Sequence, residues 1–202
     1  MIKFQDIHLS FGEVEVLKEF SLHIKKGEKI LLDAPSGRGK SSLIKMIMGF
    51  IRPQKGRILY KEEELSKHTI DRIRREVTWV NQDINLRKIN IRELFEEIRE
   101  FSSNSSVDLS SDLNDLLIAF GLSPDYLDKN VENLSGGERQ RLGLVIAILL
   151  NREVLLLDEV TSSLDINLKR RVEEWITATD KTVILVSHDT HWNKENFRVV
   201  RW

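Results

Sequence analysis

The residues with the clearest chemical meaning lie in segment 34–42, which reads APSGRGKSS. An apolar strand is predicted over 29–32 before it, and a helix over 42–48 after it, ended by Gly49. A helix N-terminus carries partial positive charge and free N–H groups, so this arrangement favours an anion. The segment fits the phosphate-binding P-loop pattern G-x-x-x-x-G-K-[ST] except at Ala34, which replaces the first glycine.

A loop of this kind binds the phosphates of ATP or GTP. Lys40 is predicted to contact the β- and γ-phosphates, and Ser41 to bind Mg²⁺. Ala34 is compatible with the loop if its φ is negative, a condition that the β region favoured before Pro35 meets. The other predicted nucleotide contacts in the loop are Ser36, Gly37, Arg38, Gly39 and Ser42.

Two other interpretations of this segment stay open at this point. A Gly- and Ser-rich turn before a helix needs no ligand, and short motifs match by chance. A dinucleotide-binding turn would follow Gly37 and Gly39 with a third glycine at the position of Ser42, which the sequence lacks. The P-loop interpretation therefore needs support from elsewhere in the chain.

An acidic pair, Asp158 and Glu159, follows the unbroken apolar run 154–157. Such a run predicts a strand buried on both faces of a parallel sheet, and ligands bind at the carboxyl ends of such strands. Asp158 is predicted to help hold Mg²⁺, and Glu159 to polarise the attacking water as a general base. A solvated acidic strand end is the simpler alternative, and the P-loop upstream argues against it.

Composition argues against several other classes of function. The chain of 202 residues has 31 basic and 32 acidic residues, so its net charge of −1 does not favour nucleic-acid binding. The absence of cysteine excludes disulfides, thiol catalysis and cysteine metal sites. The N-terminus lacks the apolar region of a signal peptide, and the longest apolar run, 142–150, is too short to span a membrane. We therefore expect a cytoplasmic protein.

The elements that must position these residues alternate between strands and helices. Further strands are predicted over 2–9, 14–24, 57–60, 77–80, 182–186 and 197–200, and helices over 69–75, 136–150 and 168–177. The polar segment 25–28 is predicted to be a hairpin turn before strand 29–32. The pattern predicts an α/β fold, a P-loop NTPase core with a mainly parallel sheet and an N-terminal antiparallel β subdomain.

Segment 84–133 differs from the rest because it contains no strand candidate. Amphipathic helices are predicted over 91–101 and 113–120, with a polar surface linker over 102–106 between them. We therefore predict a single domain over 1–202, in which 1–83 and 152–202 form the α/β core. An α-helical subdomain over about 84–151 is predicted to be inserted into that core.

A second glycine-rich helix start lies in segment 134–141, which reads LSGGERQR. Ser135 is predicted to cap this helix, and Gly136 and Gly137 in its first turn allow an anion to approach the backbone closely. Here the sequence resembles the ATP-binding cassette (ABC) ATPases, whose signature motif is LSGGQ or a close variant. The resemblance spans nearly the whole chain.

The resemblance implies roles for residues outside the two glycine-rich segments. Gln82 matches the Q-loop glutamine, which senses Mg²⁺ and the membrane partner, and His188 matches the switch histidine that contacts the γ-phosphate. Asp165 lies in the segment similar to the D-loop of the dimer interface. Phe11 stands where an aromatic residue stacks on adenine, with Val16 packing nearby. Without the resemblance, Phe11 would be a core residue as readily as a ligand contact.

The resemblance also implies how the site is completed. Two copies of such a cassette enclose two ATP molecules, so Ser135 and Gly137 would act on the nucleotide bound by the other copy. The chain is then expected to form a homodimer with ATP and Mg²⁺, held by a separate transmembrane permease at the inner face of the cell membrane. No nucleic-acid partner is expected. A metal pair of His188 with His191 is disfavoured, because no further ligands are evident.

Segments 130–141 and 157–165 look like the ATPase half of the bacterial iron-efflux exporters, with Val160-Thr161 where the wider family has Pro-Thr. The permease, a separate chain, would select the substrate. Two other classes stay open: a non-transport ABC ATPase, such as one of Fe–S cluster assembly, and an inactive cassette that serves as an interaction module. The presence of Lys40, Glu159 and His188 argues against the inactive form.

Overall fold

The computed structural model of the chain describes residues 1–101, 104, 113–189 and 192–202, and its strands form two sheets. The strands are β1 (Ile2–Phe11), β2 (Val14–Ile24), β3 (Lys29–Leu32), β4 (Lys55–Tyr60), β5 (Glu63–Glu64), β6 (Val77–Val80), β7 (Val154–Asp158), β8 (Thr182–Val186) and β9 (Arg198–Val200). The α-helices are α1 (Lys40–Ile47), α2 (Ile70–Glu76), α3 (Ile91–Glu100), α4 (Leu113–Ala119), α5 (Gly136–Leu150) and α6 (Ile166–Ala178). Short 3₁₀ turns cover Pro124–Asp128, Val131–Asn133 and Lys194–Asn196.

The antiparallel sheet has the order β2-β1-β4-β5 and forms the predicted N-terminal β region. Ile2 of β1 lies opposite Ile24 on one side and Tyr60 on the other, and all three side chains are buried. The β1 strand bulges at Asp6, whose φ is 50°. A Cβ at Gly56 would lie 2.4 Å from the Asp6 carbonyl oxygen, so only glycine allows β4 to pass this bulge.

The second sheet has the order β6-β7-β8-β3-β9, and every pair in it is parallel. Successive residues of its central strands point into two different hydrophobic clusters, one on each face. Leu155 and Leu185 belong to the cluster that contains α3, α4, α5 and α6. Leu156 and Ile184 belong to the cluster shared with α1, α2 and the antiparallel sheet. The strands are therefore buried on both faces, as their unbroken apolar runs predict.

The region predicted to be helical contains α3, α4 and two of the 3₁₀ turns, and its described residues include no strand. Of the predicted linker 102–106, only Asn104 lies within the described residues. The helices of this region and one face of the parallel sheet share a hydrophobic cluster. The boundaries of an inserted subdomain at about 84 and 151 stay a prediction. In the described part of the chain, no helix is long and apolar enough to cross a bilayer.

The structure corrects two local predictions. Segment 25–28 turns the chain, with the Glu28 N–H donating to the Lys25 carbonyl at 3.3 Å, but it is not a hairpin. The strands on either side of it belong to different sheets, so the turn carries the chain from one sheet to the other. The helix predicted to begin at Ser42 begins at Lys40, because Gly39 adopts a left-handed conformation (φ 86°) that lets the chain enter the helix early.

Candidate functional site

Four neighbouring parallel strands bring the chemically important residues to one edge of the sheet. Along the order β6-β7-β8-β3, the residues at or just beyond the carboxyl ends are Gln82, Asp158 with Glu159, His188 and the loop 33–39. Asp158 lies opposite Val186, which in turn lies opposite Leu32, so these three strands end at the same level. Parallel pairing thus explains why residues more than a hundred positions apart in sequence meet at one place.

A polar cavity of about 530 Å³ opens at this edge. It is lined by most of the predicted site residues: Phe11, Val16, Ser36, Gly37, Gly39, Lys40, Ser41, Ser42, Gln82, Asp158, Glu159 and His188, together with Val186. Phe11 is 51% exposed at the end of β1, which rules out the alternative that it is a core residue. Arg38 is absent from the lining, as are Ser135, Gly137 and Asp165.

The phosphate loop has the backbone that its sequence requires. Gly37 and Gly39 have φ of 78° and 86°, in the left-handed region that favours glycine, whereas Ala34 does not have a positive φ. Ala34 therefore fits the position of the first glycine, as predicted. A Cβ at Gly39 would lie 2.6 Å from Cγ1 of Val16, so the side chain of Val16 rests directly on the loop.

Lys40 begins α1 and is almost fully buried at 7% exposure. Its ammonium group donates to the carbonyl oxygens of Ala34 and Pro35, the latter at 3.2 Å, so it curls back along the loop. Burial lowers the pKa of Lys40, while the nearby carboxylates of Glu159 and Asp158 act in the opposite direction. The cation is therefore positioned between the loop and the acidic pair.

The two carboxylates differ in backbone and environment. Asp158 is buried, and burial raises its pKa, while the nearby Ser41 hydroxyl acts in the opposite direction. Glu159 has a φ of 53°, a left-handed conformation that is rare for a residue with a Cβ and is typical of functional sites. Burial also raises the pKa of Glu159, and the backbone N–H of His188 donates to its Oε2 at 3.5 Å.

The chemistry of these side chains suits Mg²⁺ at the same edge. Mg²⁺ prefers hard oxygen ligands and retains several waters, so one or two protein oxygens and a phosphate suffice to hold it. The Asp158 carboxylate, the Ser41 hydroxyl and the amide of Gln82 are oxygen-bearing groups that line the same cavity. The residues present therefore fit the predicted ion. His191, of the alternative metal pair, lies outside the described residues.

Glu159 has a buried support that the sequence analysis missed. Gln140 of α5 is 3% exposed; its side-chain amide donates to the Glu159 carbonyl oxygen at 2.9 Å and accepts a hydrogen bond from the Ser163 hydroxyl. Its burial was predictable, because Gln140, Leu144 and Ala147 share one face of α5 and the other two are apolar. The identity of its partners was not predictable, since they lie on another element.

The segment that carries His188 is anchored by a second group of residues that sequence reasoning missed. The Thr161 hydroxyl donates to one carboxylate oxygen of Asp189 at 2.7 Å, and the Lys169 ammonium group bonds the other at 2.7 Å. Nε2 of His188 lies 3.7 Å from Oε1 of Glu159. The imidazole therefore lies near the carboxylate, and both side chains line the cavity.

The signature helix and the segment around Asp165 lie together, apart from the cavity. Ser135 caps α5 as predicted, in a reciprocal capping box with Glu138, and Asp165 caps α6 by accepting from the N–H groups of Asn167 and Leu168. A hydrogen bond from the Tyr126 hydroxyl, followed by the Ser135 N–H, lowers the pKa of Glu138 to about 2. A Cβ at Gly137 would lie 3.4 Å from the Ser163 carbonyl oxygen.

This geometry matches a known family. The sequence profile described as ABC transporter matches residues 17–162, which include both glycine-rich segments and the acidic pair. The chain belongs to the ABC transporter family. The resemblance stated from the motifs is thereby confirmed, and with it the assignment of the chain as an ABC ATPase.

Two relatives illustrate how widely this cassette is used. ABC transporter F family member 5 of Arabidopsis thaliana is 32% identical over 195 residues, which cover 96% of this chain and 26% of that protein. The probable iron export ATP-binding protein FetA of Escherichia coli (strain K12) is 31% identical over 196 residues, covering 94% of this chain and 85% of that protein. Relatives of similar identity also include proteins named for import.

A solved structure supports the ABC fold. The dimer of the ATP-binding cassette MJ0796 in a post-hydrolysis state, bound to ADP and Pi, superimposes with a TM-score of 0.84 at 25% identity. The match covers 100% of this chain and 94% of that one. The predicted fold class, an α/β P-loop core with a parallel sheet, an antiparallel sheet and helices, is confirmed.

Proposed function

We propose that the chain is the ATP-binding and ATP-hydrolysing subunit of an ABC transporter. The observation that carries the proposal is the convergence of Lys40, Asp158, Glu159 and His188 on one polar cavity at the N-terminus of α1. A helix N-terminus, a buried cation and a pair of carboxylates together provide the groups needed to bind and cleave a Mg²⁺-bound triphosphate.

In this proposal the nucleotide lies along the cavity from its apolar to its polar end. Phe11 and Val16 form the apolar end, where the exposed ring of Phe11 stacks on adenine. The N–H groups of the loop and the Lys40 ammonium group bind the phosphates, with the hydroxyls of Ser36, Ser41 and Ser42 and the backbone of Gly37, Arg38 and Gly39. Lys40 then gives up its bonds to the Ala34 and Pro35 carbonyls for stronger ones to the charged oxygens.

Hydrolysis follows from the position of the acidic pair. Ser41, Asp158 and Gln82 would hold Mg²⁺, which neutralises charge on the phosphates. Glu159 accepts a proton from a water whose oxygen attacks the γ-phosphorus, and the bond to the bridging oxygen breaks to give ADP and phosphate. A raised pKa makes the Glu159 carboxylate a better proton acceptor, provided that it is ionised at the working pH. His188 donates to the oxygens of the transferred group.

The signature end of α5 is proposed to act on the nucleotide of a second copy. Ser135, Gly137 and Asp165 do not line the cavity of their own chain, although the first turn of α5 presents N–H groups suited to phosphate. A symmetric dimer would bring this end against the partner's cavity and enclose two ATP molecules. The dimeric state of the solved relative described above supports this arrangement.

A separate transmembrane permease is proposed as the second partner. Gln82 lines both the cavity and a neighbouring groove of about 490 Å³, which also includes Asp83, Ile84 and Leu86. A permease segment in that groove would sense the nucleotide through Gln82. The protein would then sit at the inner face of the cell membrane. We propose metal efflux, specifically of iron, as the transport process, supported by the motif pattern and the similarity to FetA; a non-transport ATPase of Fe–S cluster assembly is the alternative.

Mg²⁺-dependent ATPase activity of the purified chain tests the enzymatic proposal. Glu159→Gln should lower turnover by about a hundredfold or more while ATP stays bound, and Lys40→Ala should weaken ATP binding itself. Glu153→Gln, immediately before strand β7, is the matched control and should change turnover by less than about twofold. Unchanged turnover in Glu159→Gln would contradict the assigned role. Co-purification from solubilised membranes would identify the permease.

A further inference from the structure

The residues after β9 lie directly on the phosphate loop. The Asp33 N–H donates to the Val200 carbonyl at 2.9 Å, and the Arg201 guanidinium bonds the Asp33 carboxylate at 3.1 Å. The indole N–H of Trp202 donates to the Arg38 carbonyl oxygen at 2.8 Å. We propose that Trp202 is a positioning residue of the phosphate loop, which fixes one loop peptide so that its N–H faces the nucleotide. This inference rests on the proposed ATP site.

The orientation of that peptide follows from its planarity. In a trans peptide the C=O and the N–H of the next residue point in opposite directions. Because the indole holds the Arg38 carbonyl on the outer side, the Gly39 N–H points the opposite way, and Gly39 lines the cavity. The bond from Trp202 therefore aims a donor at the place where the phosphates would bind.

This peptide needs an external anchor because its neighbours are glycines. Gly37 and Gly39 flank Arg38, with φ of 78° and 86°, and glycine adopts many backbone conformations at little cost. Rotation of the peptide would direct a carbonyl oxygen, instead of an N–H, toward the negatively charged phosphates. A fixed carbonyl removes that alternative before the nucleotide arrives, which favours binding through preorganisation.

Trp202 itself is held by the hydrophobic core. Its ring lies 5.1 Å from that of Phe20, at an angle of 60°, and Phe20 packs edge-to-face on Phe4 at 6.1 Å. Phe4 and Phe20 are buried in the cluster of the antiparallel sheet, and Trp202 packs against that cluster. The indole is thus a rigid group that links the loop to the core through a single donor.

The neighbouring ion pair makes a smaller contribution. The side chains of Arg201 and Asp33 are 66% and 36% exposed, and water competes with such pairs. Arg201→Gln should therefore change nucleotide affinity by at most about twofold. The comparison separates the directional bond of Trp202, whose indole is half-buried, from a surface charge at the preceding position.

The test compares Trp202→Phe with Trp175→Phe, which removes an indole from α6 on the opposite face of the parallel sheet. Phenylalanine retains a ring against Phe20 but removes the donor together with part of the indole ring system, so the melting temperature of the variant is measured alongside. Dissociation constants for ATP and ADP, measured by calorimetry, should rise roughly three- to tenfold in Trp202→Phe, the range of one net hydrogen bond. KM for ATP should rise with them and kcat should change less, while Trp175→Phe should match the wild type in both.

The possible outcomes distinguish a role of Trp202 in positioning the phosphate loop from a role in packing alone. A lower melting temperature with unchanged ATP affinity and KM would show a purely structural role and overturn the inference. If Trp202→Phe does not fold, a benzothienyl analogue placed at position 202 by codon suppression keeps the shape of the indole with sulfur for N–H, and the same affinity loss is expected. A wild-type chain that binds no ATP overturns the proposed function as well, whereas wild-type binding with an unaffected variant overturns only the role of Trp202.

Discussion

The two glycine-rich helix starts of this chain have opposite surroundings. The start of α1 faces a cavity in which Lys40 and Asp158 are both 7% exposed and further polar groups converge. The start of α5 carries the same kind of sequence, yet Ser135 and Gly136 are exposed and line no part of that cavity. A helix start of this kind is suited to phosphate. In the proposed function, the start of α5 would meet the nucleotide of a second copy of the chain.

Gln140 connects the two regions within one chain. It lies in the second turn of α5, yet its side chain bonds the backbone of Glu159 and the hydroxyl of Ser163. A displacement of the start of α5 by a partner's nucleotide would therefore reach the backbone of Glu159, whose side chain lines the cavity of the same chain. We infer that the exposed start of α5 contacts one nucleotide, whereas the cavity at the start of α1 binds and cleaves another.

The largest effect is expected when two inactive variants are mixed. The mixture tests whether the start of α5 in one chain completes the cavity at the start of α1 in another. Lys40→Ala removes the cation of the cavity, and Gly137→Asp places a negative charge at the exposed helix start. Each alone should lose about a hundredfold or more in ATPase activity, because phosphate binding depends on these charges. An equal mixture should recover up to about a quarter of the wild-type rate, because half of the dimers would contain one intact composite site.

The control for this experiment is a mixture that cannot form an intact site. A chain carrying both Lys40→Ala and Gly137→Asp, mixed with Lys40→Ala, should stay inactive at any ratio. A Cβ at Gly137 would be at ordinary contact distance from Ser163, so the substitution should leave the fold intact. Absence of recovery in the test mixture would mean that both halves act within one chain, whereas recovery in the control would mean that Lys40 is not required for activity.

Removal of the Gln140 side chain, which connects α5 to Glu159, should have a smaller effect on ATPase activity. Gln140→Leu deletes the amide that bonds the Glu159 carbonyl and leaves Glu159, with its unfavourable φ of 53°, less constrained. We expect kcat to fall about tenfold, because a misplaced base slows the chemical step. KM for ATP should change little, since Gln140 does not line the cavity. Steady-state kinetics on the purified variant provide both values.

Ser162→Ala is the matched control for Gln140→Leu. The Ser162 hydroxyl donates to the same Glu159 carbonyl at 3.0 Å, but it is exposed, so water replaces it. Its kcat should stay within about twofold of the wild type. If Gln140→Leu raised KM as strongly as it lowered kcat, the glutamine would act on nucleotide binding, and the proposed connection would be wrong.

The sequence predicts those features of the fold that depend on local pattern. Apolar runs such as 154–157 and 182–186 correctly predict buried parallel strands, and segment 134–141 correctly predicts a capped helix start. The convergence of Asp158, Glu159 and His188 also follows from sequence, because parallel strands present their carboxyl ends at one edge. The roles of these residues in catalysis stay predictions.

The features that the sequence does not predict depend on distant parts of the chain. The polar turn 25–28 looks like a hairpin, because its sequence does not reveal that β2 and β3 join different sheets. Gln140 and Trp202 each donate a side-chain hydrogen bond to a backbone carbonyl, that of Glu159 and that of Arg38. A backbone partner leaves no pattern of residue types, so only the tertiary structure shows it.

The smallest predicted effect concerns how Glu159, in the cavity at the start of α1, changes the free energy of unfolding with pH. Burial raises the pKa of Glu159 above its ordinary value of 4.5, so the ionised carboxylate destabilises the folded chain at higher pH. This destabilisation disappears as the pH falls through the raised pKa toward the ordinary one. Glu159→Gln should therefore raise the free energy of unfolding at about pH 8 by on the order of 1 kcal/mol, and by less at about pH 5. Denaturant unfolding at both pH values measures the difference. An equal gain at both pH values in Glu159→Gln would mean that burial does not act on the charge.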